Sequence, residues 1–392
     1  MKIIQDLQNL DGKKVLLRLD LNVPLKEHII KDETRINKIL PIVNFLLNKK
    51  AKVIIISHVG RPNGKVNPEL SMKPICKSLE TKLNKKINLL TEDIRKVKDN
   101  DLFKNLDQNI LILENIRFYS EEENNDLDFA KHLASFGDIY INDAFSCSHR
   151  DHASVVNITK FLPSYAGLQL NSEIKALQKV TTDIKKPITC IIGGSKISTK
   201  IGIIENLIPK FDNIIFVGAM ANNILNFKKI SIGKSMYEKN CDAIIAKIFE
   251  LSNRKLCSIT YPEDVVIGKE LGGKPIIKDL VDVSDTDMIL DIGPKTIKKI
   301  DSLINSSKTI LWNGPAGYFE NPDFANGSYE IAKSIVRKFK SNSIYSVAGG
   351  GDTIAVINKI NAINDFNFVS TAGGAFLEYL EGKALPGISA LK

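Results

Sequence analysis

The sequence predicts an α/β protein in two lobes, each a mostly parallel sheet flanked by helices. Two observations predict it. Short apolar runs of strand length alternate with amphipathic helical stretches along the chain, as parallel sheets with crossover helices require. In the second half, three of these runs (Ile188–Ile192, Thr309–Trp312 and Ile344–Ala348) lead into glycine, the kind of junction where ligands collect outside the carboxyl ends of parallel strands. A length of 392 residues suits two or three domains, and 43% hydrophobic with 25% charged residues gives material for more than one core.

In chain order, the first half offers strands at Lys14–Leu19, Val53–Ser57, Ile110–Leu113 and Ile139–Asn142, with a helix over Ile36–Asn48. The second half adds Ile188–Ile192, Ile214–Val217, Met288–Ile292, Thr309–Trp312, Ile344–Ala348 and Phe368–Val369, with a helix over Ser328–Lys340. Between the halves, Asn171–Val180 reads as a helix and Pro187 restarts the strand pattern, so the connector is expected to be a hinge helix rather than a loose linker. No repeat of domain-building length and no low-complexity segment is visible.

Composition excludes several classes. The five cysteines are odd in number and scattered, and no CxxC occurs, which argues against a zinc ribbon or a disulfide framework. The N-terminus lacks a signal-peptide core, and no apolar run approaches the roughly 18 residues of a membrane span. A cytoplasmic protein with no membrane partner is expected. The net charge of +9 would suit nucleic acid, but no RNP or helix-turn-helix pattern accompanies it, so no nucleic-acid partner is expected. Arginine is more informative. Of eight, six (Arg18, Arg35, Arg61, Arg95, Arg117 and Arg150) lie in the first 150 residues. The guanidinium fork matches phosphate and carboxylate in a way lysine does not, so an anion site is expected there; ordinary salt bridges are the alternative.

Polar residues follow each strand of the first half. Asp20 and Asn22 follow the first and could bind hydroxyls or simply cap a turn before Pro24. Arg35 opens a helix at the sheet edge. His58 and Arg61 follow the second strand, Glu114 and Arg117 the third, and His149, Arg150 and His152 the fourth. His149 and His152 could ligate a metal, but nearby arginines would repel a cation and an anion fits better.

The second half has a different character. Gly349-Gly350-Gly351-Asp352-Thr353 lies between a strand and a helix. Glycines let backbone N–H groups approach an anion, the helix dipole favours negative charge, and Asp352 supplies a hard oxygen ligand for the Mg²⁺ that accompanies a nucleotide. The same pentapeptide also suits a plain capped turn. Gly193-Gly194-Ser195-Lys196 repeats the arrangement, and Lys200 stands four residues beyond Lys196, a spacing that on a helix puts both ammonium groups on one face. Asn313 and Glu320 sit in a glycine-rich loop with the only Trp, and Gly373 and Gly374 form a further strand–glycine–helix junction. Gly233-Lys234-Ser235 imitates the end of a Walker A loop, but Lys228 stands where its first glycine belongs; no GxGxxG occurs. An arginine/histidine site in one half and a glycine/lysine/aspartate site in the other suggest phosphoryl transfer requiring lobe closure.

Over essentially its full length the chain resembles the phosphoglycerate kinase family. The motifs that carry the resemblance are RLDLNVP (18–24), DETRI (32–36), SHVGRP (57–62), ENIRF (114–118), DAFSCSHRDH (143–152), GGSKISTK (193–200), DIGPKT (291–296), LWNGPAGYFE (311–320), GGGDT (349–353) and STAGGAFLEYLEGKALPG (370–387), in the family's order. The resemblance implies two Rossmann-like lobes and a monomer. It also implies reversible, Mg²⁺-dependent transfer between 1,3-bisphosphoglycerate and ADP, giving ATP and 3-phosphoglycerate. It further implies a 3-phosphoglycerate lobe at 1–168, a hinge at 169–186, a nucleotide lobe at 187–375 and a tail at 376–392 returning to the first lobe. By carry-over, Asp20, Asn22, Arg35, His58, Arg61, Arg117, His149 and Arg150 bind 3-phosphoglycerate. Lys200, Asn313, Glu320, Gly350, Gly351, Asp352 and Thr353 serve the nucleotide, with Asp352 as metal partner. Arg35, Lys196, Lys200, Gly373 and Gly374 are the expected catalytic groups. The chain departs from the family's usual glycines at Val217, Ala219, Ile289 and Ala372, the first three of which bear on base preference.

Overall fold

The computed structural model describes residues 1–103 and 109–392. Contacts divide the chain into two units. Met1–Ile174 with Ala384–Lys392 form one, and Lys175–Lys383 form the other.

In the first unit the strands are β1 (Lys14–Arg18), the short hairpin pair β2 (Leu25–Lys26) and β3 (Ile29–Ile30), β4 (Lys52–Ile56), β5 (Asn88–Leu90), β6 (Ile110–Leu113), β7 (Ile139–Asn142) and β8 (Ser164–Ala166). Six of them form one sheet in the order β5-β6-β4-β1-β7-β8, every pairing parallel. Both faces of the sheet are covered, which is why its strands read as unbroken apolar runs rather than alternating ones. Val15, Leu17, Val53, Ile55, Ile110, Ile112, Ile139 and Ile141 share one face. Against it pack Ile36, Ile39, Val43 and Leu46 of the helix Thr34–Asn48, with Ile75 and Leu79 of the helix Lys73–Leu83. This rigid centre leaves the polar residues after each strand to gather in loops at the carboxyl edge.

The second unit repeats the plan with β9 (Ile188–Ile192), β10 (Asn213–Phe216), β11 (Ser258–Thr260), β12 (Asp264–Gly268), β13 (Ile276–Asp279), β14 (Met288–Ile292), β15 (Thr309–Asn313), β16 (Tyr345–Gly349) and β17 (Phe368–Ser370). The parallel sheet runs β11-β10-β9-β15-β16-β17. Ile191, Ile215, Ile310, Trp312 and Ala348 pack against Ile300 and Ile304 of the helix Pro294–Ser306 and Ile331 and Ile335 of the helix Asn326–Lys340. The apolar run Met288–Ile292 is a strand, but it lies in a separate antiparallel sheet, β13-β12-β14, with its own small core of Val265, Ile267 and Val283. Strand direction is not written in an apolar run. It follows from the connection, and the short link from β12 to β13 permits only antiparallel pairing.

The segment expected to be a hinge is a helix, Leu168–Thr181. Its first turn is held by Asp143, whose Oδ1 accepts from the Leu170 N–H at 2.9 Å. The C-terminal end of the chain divides its contacts. The helix Gly374–Leu380 is bonded by Asn206, whose Nδ2 donates to the Leu380 carbonyl at 2.7 Å. Gly387 donates through its N–H to the Ser148 carbonyl at 2.9 Å.

Candidate functional site

The first cluster is built at the carboxyl ends of β1, β4 and β7. Arg18, the last residue of β1, is fully buried. Its Nε donates to Ser154 Oγ at 2.9 Å, and Ser154 Oγ in turn donates to Glu122 Oε1 at 2.6 Å. Arg18 Nη1 donates to the Leu19 carbonyl at 2.5 Å, and Nη2 lies 3.3 Å from Nδ1 of buried His58. A guanidinium has donors only, so Nδ1 must accept and the His58 proton sits on Nε2. Burial, then the positive charges of Arg18, Arg117 and Arg35, hold His58 well below its ordinary pKa. Burial together with Arg117, Arg18 and Arg150 likewise pushes His152 down to about 3. The histidines are therefore neutral donors, and the arginines carry the charge of the site.

Arg35 reaches across from the helix Thr34–Asn48, its Nη1 donating to Asp20 at 2.6 Å (Oδ1) and 2.5 Å (Oδ2). Ser146 also donates its hydroxyl to the Asp20 carboxylate. Asn22 accepts through Oδ1 from the Gly60 N–H at 2.9 Å, and buried Arg117 donates through Nη1 to the Gly60 carbonyl at 3.0 Å. Arg61 and Arg150 are exposed, and His149 is half-buried beside Arg150. Asp20, Asn22, Arg35, His58 and Arg117 are thus joined by direct contacts or shared backbone. Arg18 and His152, flagged by the arginine and histidine pattern, are not among the residues the resemblance carries over to 3-phosphoglycerate. Arg18 sits in the RLDLNVP motif, yet its importance depends on Ser154 and Glu122, more than a hundred residues away. Among the described residues no group of three or more His, Cys, Asp or Glu is placed so that it could hold a metal ion.

The second cluster lies at the carboxyl ends of β9, β15 and β16. Lys200 donates through Nζ to the Gly193 carbonyl at 2.5 Å and to Asn313 Oδ1 at 2.6 Å, and burial lowers its pKa to about 8. Asn313 Nδ2 donates to the Gly349 carbonyl at 2.6 Å, tying β15 to β16 at the start of the glycine turn. Gly350 has φ +98°, and a Cβ there would stand 2.8 Å from Asn313 Nδ2, so both backbone and space require glycine. Thr353 is buried and its Oγ1 accepts from the Gly314 N–H at 2.7 Å, bracing the loop. Gly351 and Asp352 open the helix Gly351–Lys359, and Asp352 is exposed.

Beside this cradle is a cavity of about 600 Å³ lined by Gly194, Ala219, Met236, Met288, Ile289, Tyr318, Glu320 and Asp352, among others. Ala219 and Ile289 therefore shape its wall, whereas Val217 is wholly buried beneath. Asp291, also lining the cavity, is buried and pushed up to about 7, and its Oδ2 accepts from the Gly327 N–H at 2.7 Å. Sequence reading did not single it out.

One expectation changes. Lys196 and Lys200 do not share a helix face: Ser198–Lys200 is a 3₁₀ turn, the helix Ile201–Leu207 starts after it, and Lys196 is exposed in the preceding loop and does not line the cavity. The glycine-rich approach delays the helix, so a spacing rule for helices does not apply there. Thr353 accepts the Gly314 N–H through Oγ1 and still has its O–H to donate. Gly373 adopts φ +56° and is exposed with Gly374 at the start of the helix Gly374–Leu380.

Comparison with known proteins places these residues in a family. The phosphoglycerate kinase family model matches residues 4–383. The chain is 45% identical over 396 residues to the phosphoglycerate kinase of Wolbachia sp. subsp. Brugia malayi, covering 100% of this chain and 99% of that protein. It is 45% identical to that of Orientia tsutsugamushi, covering 97% and 94%. Among solved structures, phosphoglycerate kinase from Coxiella burnetii superposes with a TM-score of 0.92 at 37% identity, covering 99% of this chain and 98% of that one. With the matched family model spanning nearly every residue and both clusters inside it, this chain belongs to the phosphoglycerate kinase family.

Proposed function

We propose that the arginine cluster of the first unit binds 3-phosphoglycerate or 1,3-bisphosphoglycerate, and that the glycine–lysine cradle of the second binds ADP or ATP. The reaction is the family's reversible phosphoryl transfer between 1,3-bisphosphoglycerate with ADP and 3-phosphoglycerate with ATP. The pairing of chemistries supports this reading above all: one cluster has fixed guanidinium charge and neutral imidazole donors, and the other has a buried ammonium beside a glycine turn and a carboxylate.

Arg35, Arg61, Arg117 and Arg150 would clamp the substrate's anionic groups, with His58 Nε2–H, His149, Asp20 and Asn22 setting its orientation. The acceptor is a carboxylate, already ionised at neutral pH, so no general base is needed. The depressed pKa values of His58 and His152 agree with that, since neither is poised to carry a proton. Catalysis then rests on in-line positioning after lobe closure and on charge balance at the transferred group. Arg35, Lys200 and the N–H groups of Gly373 and Gly374 would supply that balance, with exposed Lys196 joining them on ligand binding. Lys200 is suited to the role because its present partners, a carbonyl and an amide oxygen, are neutral; a phosphate would hold it more tightly and raise its pKa.

The carboxylate of Asp352 at a phosphate cradle fits the Mg²⁺ that a nucleotide brings, which takes one or two protein carboxylates along with phosphate oxygens. When bound, that ion would neutralise phosphate charge. Glu320, Asn313, Gly350, Gly351 and Thr353 complete the nucleotide contacts. We further propose a cytoplasmic monomer. All five cysteines are free and buried, and among the described residues no helix is long and apolar enough to cross a membrane.

The test is a coupled assay of the purified chain with ATP and a panel of small acids. Mg²⁺-dependent turnover that prefers 3-phosphoglycerate is expected. Preference for another acid would overturn the substrate assignment, and salt-sensitive nucleic-acid binding with no turnover would overturn the enzymatic reading altogether.

A further inference from the structure

The first unit carries a second cavity, of about 760 Å³, that none of the proposed substrate-binding residues lines. It lies in the loops after β4, β5 and β6, since Ser71, Thr91 and Glu114 all border it, and loops at the carboxyl ends of parallel strands are where such folds bind ligands. Phe118 and Tyr119 give it an aromatic wall, with Pro68 and Pro74 also apolar.

The lining holds three fixed cations, Lys73, Lys77 and Arg95, against the carboxylates of Asp93 and Glu114, and Arg95 also pairs with Glu121 at 3.1 Å. Glu114 is held in place by neutral donors: Oε1 accepts from the N–H groups of Met72 and Asn115 at 2.7 and 2.8 Å, and Oε2 accepts from Ser71 Oγ at 2.7 Å. Asp93 is bound by Arg95 through both oxygens at 2.9 Å, and the Arg95 guanidinium lies over Tyr119, 5.3 Å from the ring centre. Lys73 and Lys77 remain. They stand one turn apart on the helix Lys73–Leu83, both line the cavity, both are exposed, and neither has an ion-pair partner among the described residues. Spaced by four, their ammonium groups occupy one helix face.

We propose that this cavity binds a small aromatic phosphomonoester, its dianionic phosphate between Lys73 and Lys77 and its ring against Phe118 and Tyr119. Two neighbouring ammonium groups match a dianion, and Phe118 with the edge of Tyr119, whose ring already packs against Arg95 and Phe129, offers apolar surface to a flat ring. The site is independent of the kinase reading, because no residue of that reading lines it.

The probe is 1-naphthyl phosphate, titrated into the full chain with Mg-ADP and 3-phosphoglycerate held saturating, and followed by amide chemical shifts and calorimetry. One saturable site with a Kd below about 1 mM is expected, with shifts at Lys73, Lys77 and Tyr119. Neutral 1-naphthol and the K73E/K77E variant should each weaken binding about tenfold or more, while that variant keeps its kinase turnover. Thr91→Trp, which fills the cavity without touching the lysines, should also abolish binding and covers the case of a misfolded double variant. No saturation, binding unchanged in K73E/K77E and in Thr91→Trp, or shifts confined to the nucleotide cradle would each overturn the proposal.

Discussion

Arg18 Nη2 sits 3.3 Å from His58 Nδ1, and this contact fixes the imidazole as a neutral ring with its proton on Nε2. Burial and surrounding arginines depress both His58 and His152, so in the folded chain each takes up a proton only well below the ordinary histidine value. In the unfolded chain both would titrate near their ordinary value of about 6.5. The unfolded state then binds more protons below that value, so the stability present above about pH 6.5 is lost as pH falls towards 3, by an amount on the order of a few kcal/mol. Nitrogen NMR should report a neutral Nε2–H tautomer for His58 across pH 5–8, and denaturant midpoints should fall over the same acid range. A His58 signal titrating near 6.5 would contradict the assignment.

Lys200 titrates within reach of ordinary conditions. Its pKa is lowered to about 8 in the folded chain, so between about 8 and its ordinary value of 10.5 the unfolded state holds the proton more tightly and stability rises with pH. Ligand binding should reverse the local shift. Calorimetry of Mg-ADP in buffers of different ionisation enthalpy should show proton uptake at pH 8.5, little at pH 6.5, and none in Lys200→Met. The same substitution should lower kcat by roughly 10²–10³, about 2.7–4 kcal/mol in the barrier, if Lys200 balances transition-state charge.

Arg35 and Asp352 should fail differently. Arg35→Ala removes the charge proposed to balance the transferred group and the Arg35–Asp20 ion pair, so the loss should fall mostly on kcat. Asp352→Ala removes the proposed ion ligand, so the KM for Mg-nucleotide should rise and the Mg²⁺ requirement should shift upward. Steady-state kinetics at varied Mg²⁺ checks both, and equal, minor effects would refute the roles.

Gly350→Ala tests the cradle without touching a charged group. A Cβ at φ +98° is strained, about 1–3 kcal/mol, and would press on the Asn313 amide at 2.8 Å. Since Asn313 also holds Lys200, nucleotide affinity should fall more than thermal stability does. Unchanged ADP binding in a less stable variant would show that the Asn313 link to Lys200 is dispensable.

Much of this was legible in the residues for physical reasons. Buried parallel strands such as Ile139–Asn142 and Ile188–Ile192 announce themselves as continuous apolar runs, and the polar residues that follow them mark the carboxyl edge. Three-residue edge strands such as Asn88–Leu90 and Ser258–Thr260 carry too little pattern to be seen, because each pairs with one neighbouring strand only, and Ser164–Ala166 adds no more than a single bridge to Ile3. The antiparallel sheet of the second unit escaped because connection, not composition, sets direction. The roles of Arg18 and Asp291 escaped for another reason: a buried charge acquires its meaning from partners such as Glu122, Ser154 and Gly327, which only the fold brings near.

The division of labour between the two clusters is tested most directly by separate titrations of 3-phosphoglycerate and Mg-ADP into Arg117→Ala and Lys200→Met. Arg117→Ala should weaken 3-phosphoglycerate about tenfold or more and leave Mg-ADP unchanged, and Lys200→Met should do the reverse. If either variant weakened both ligands equally, the assignment of one substrate to each cluster would be wrong.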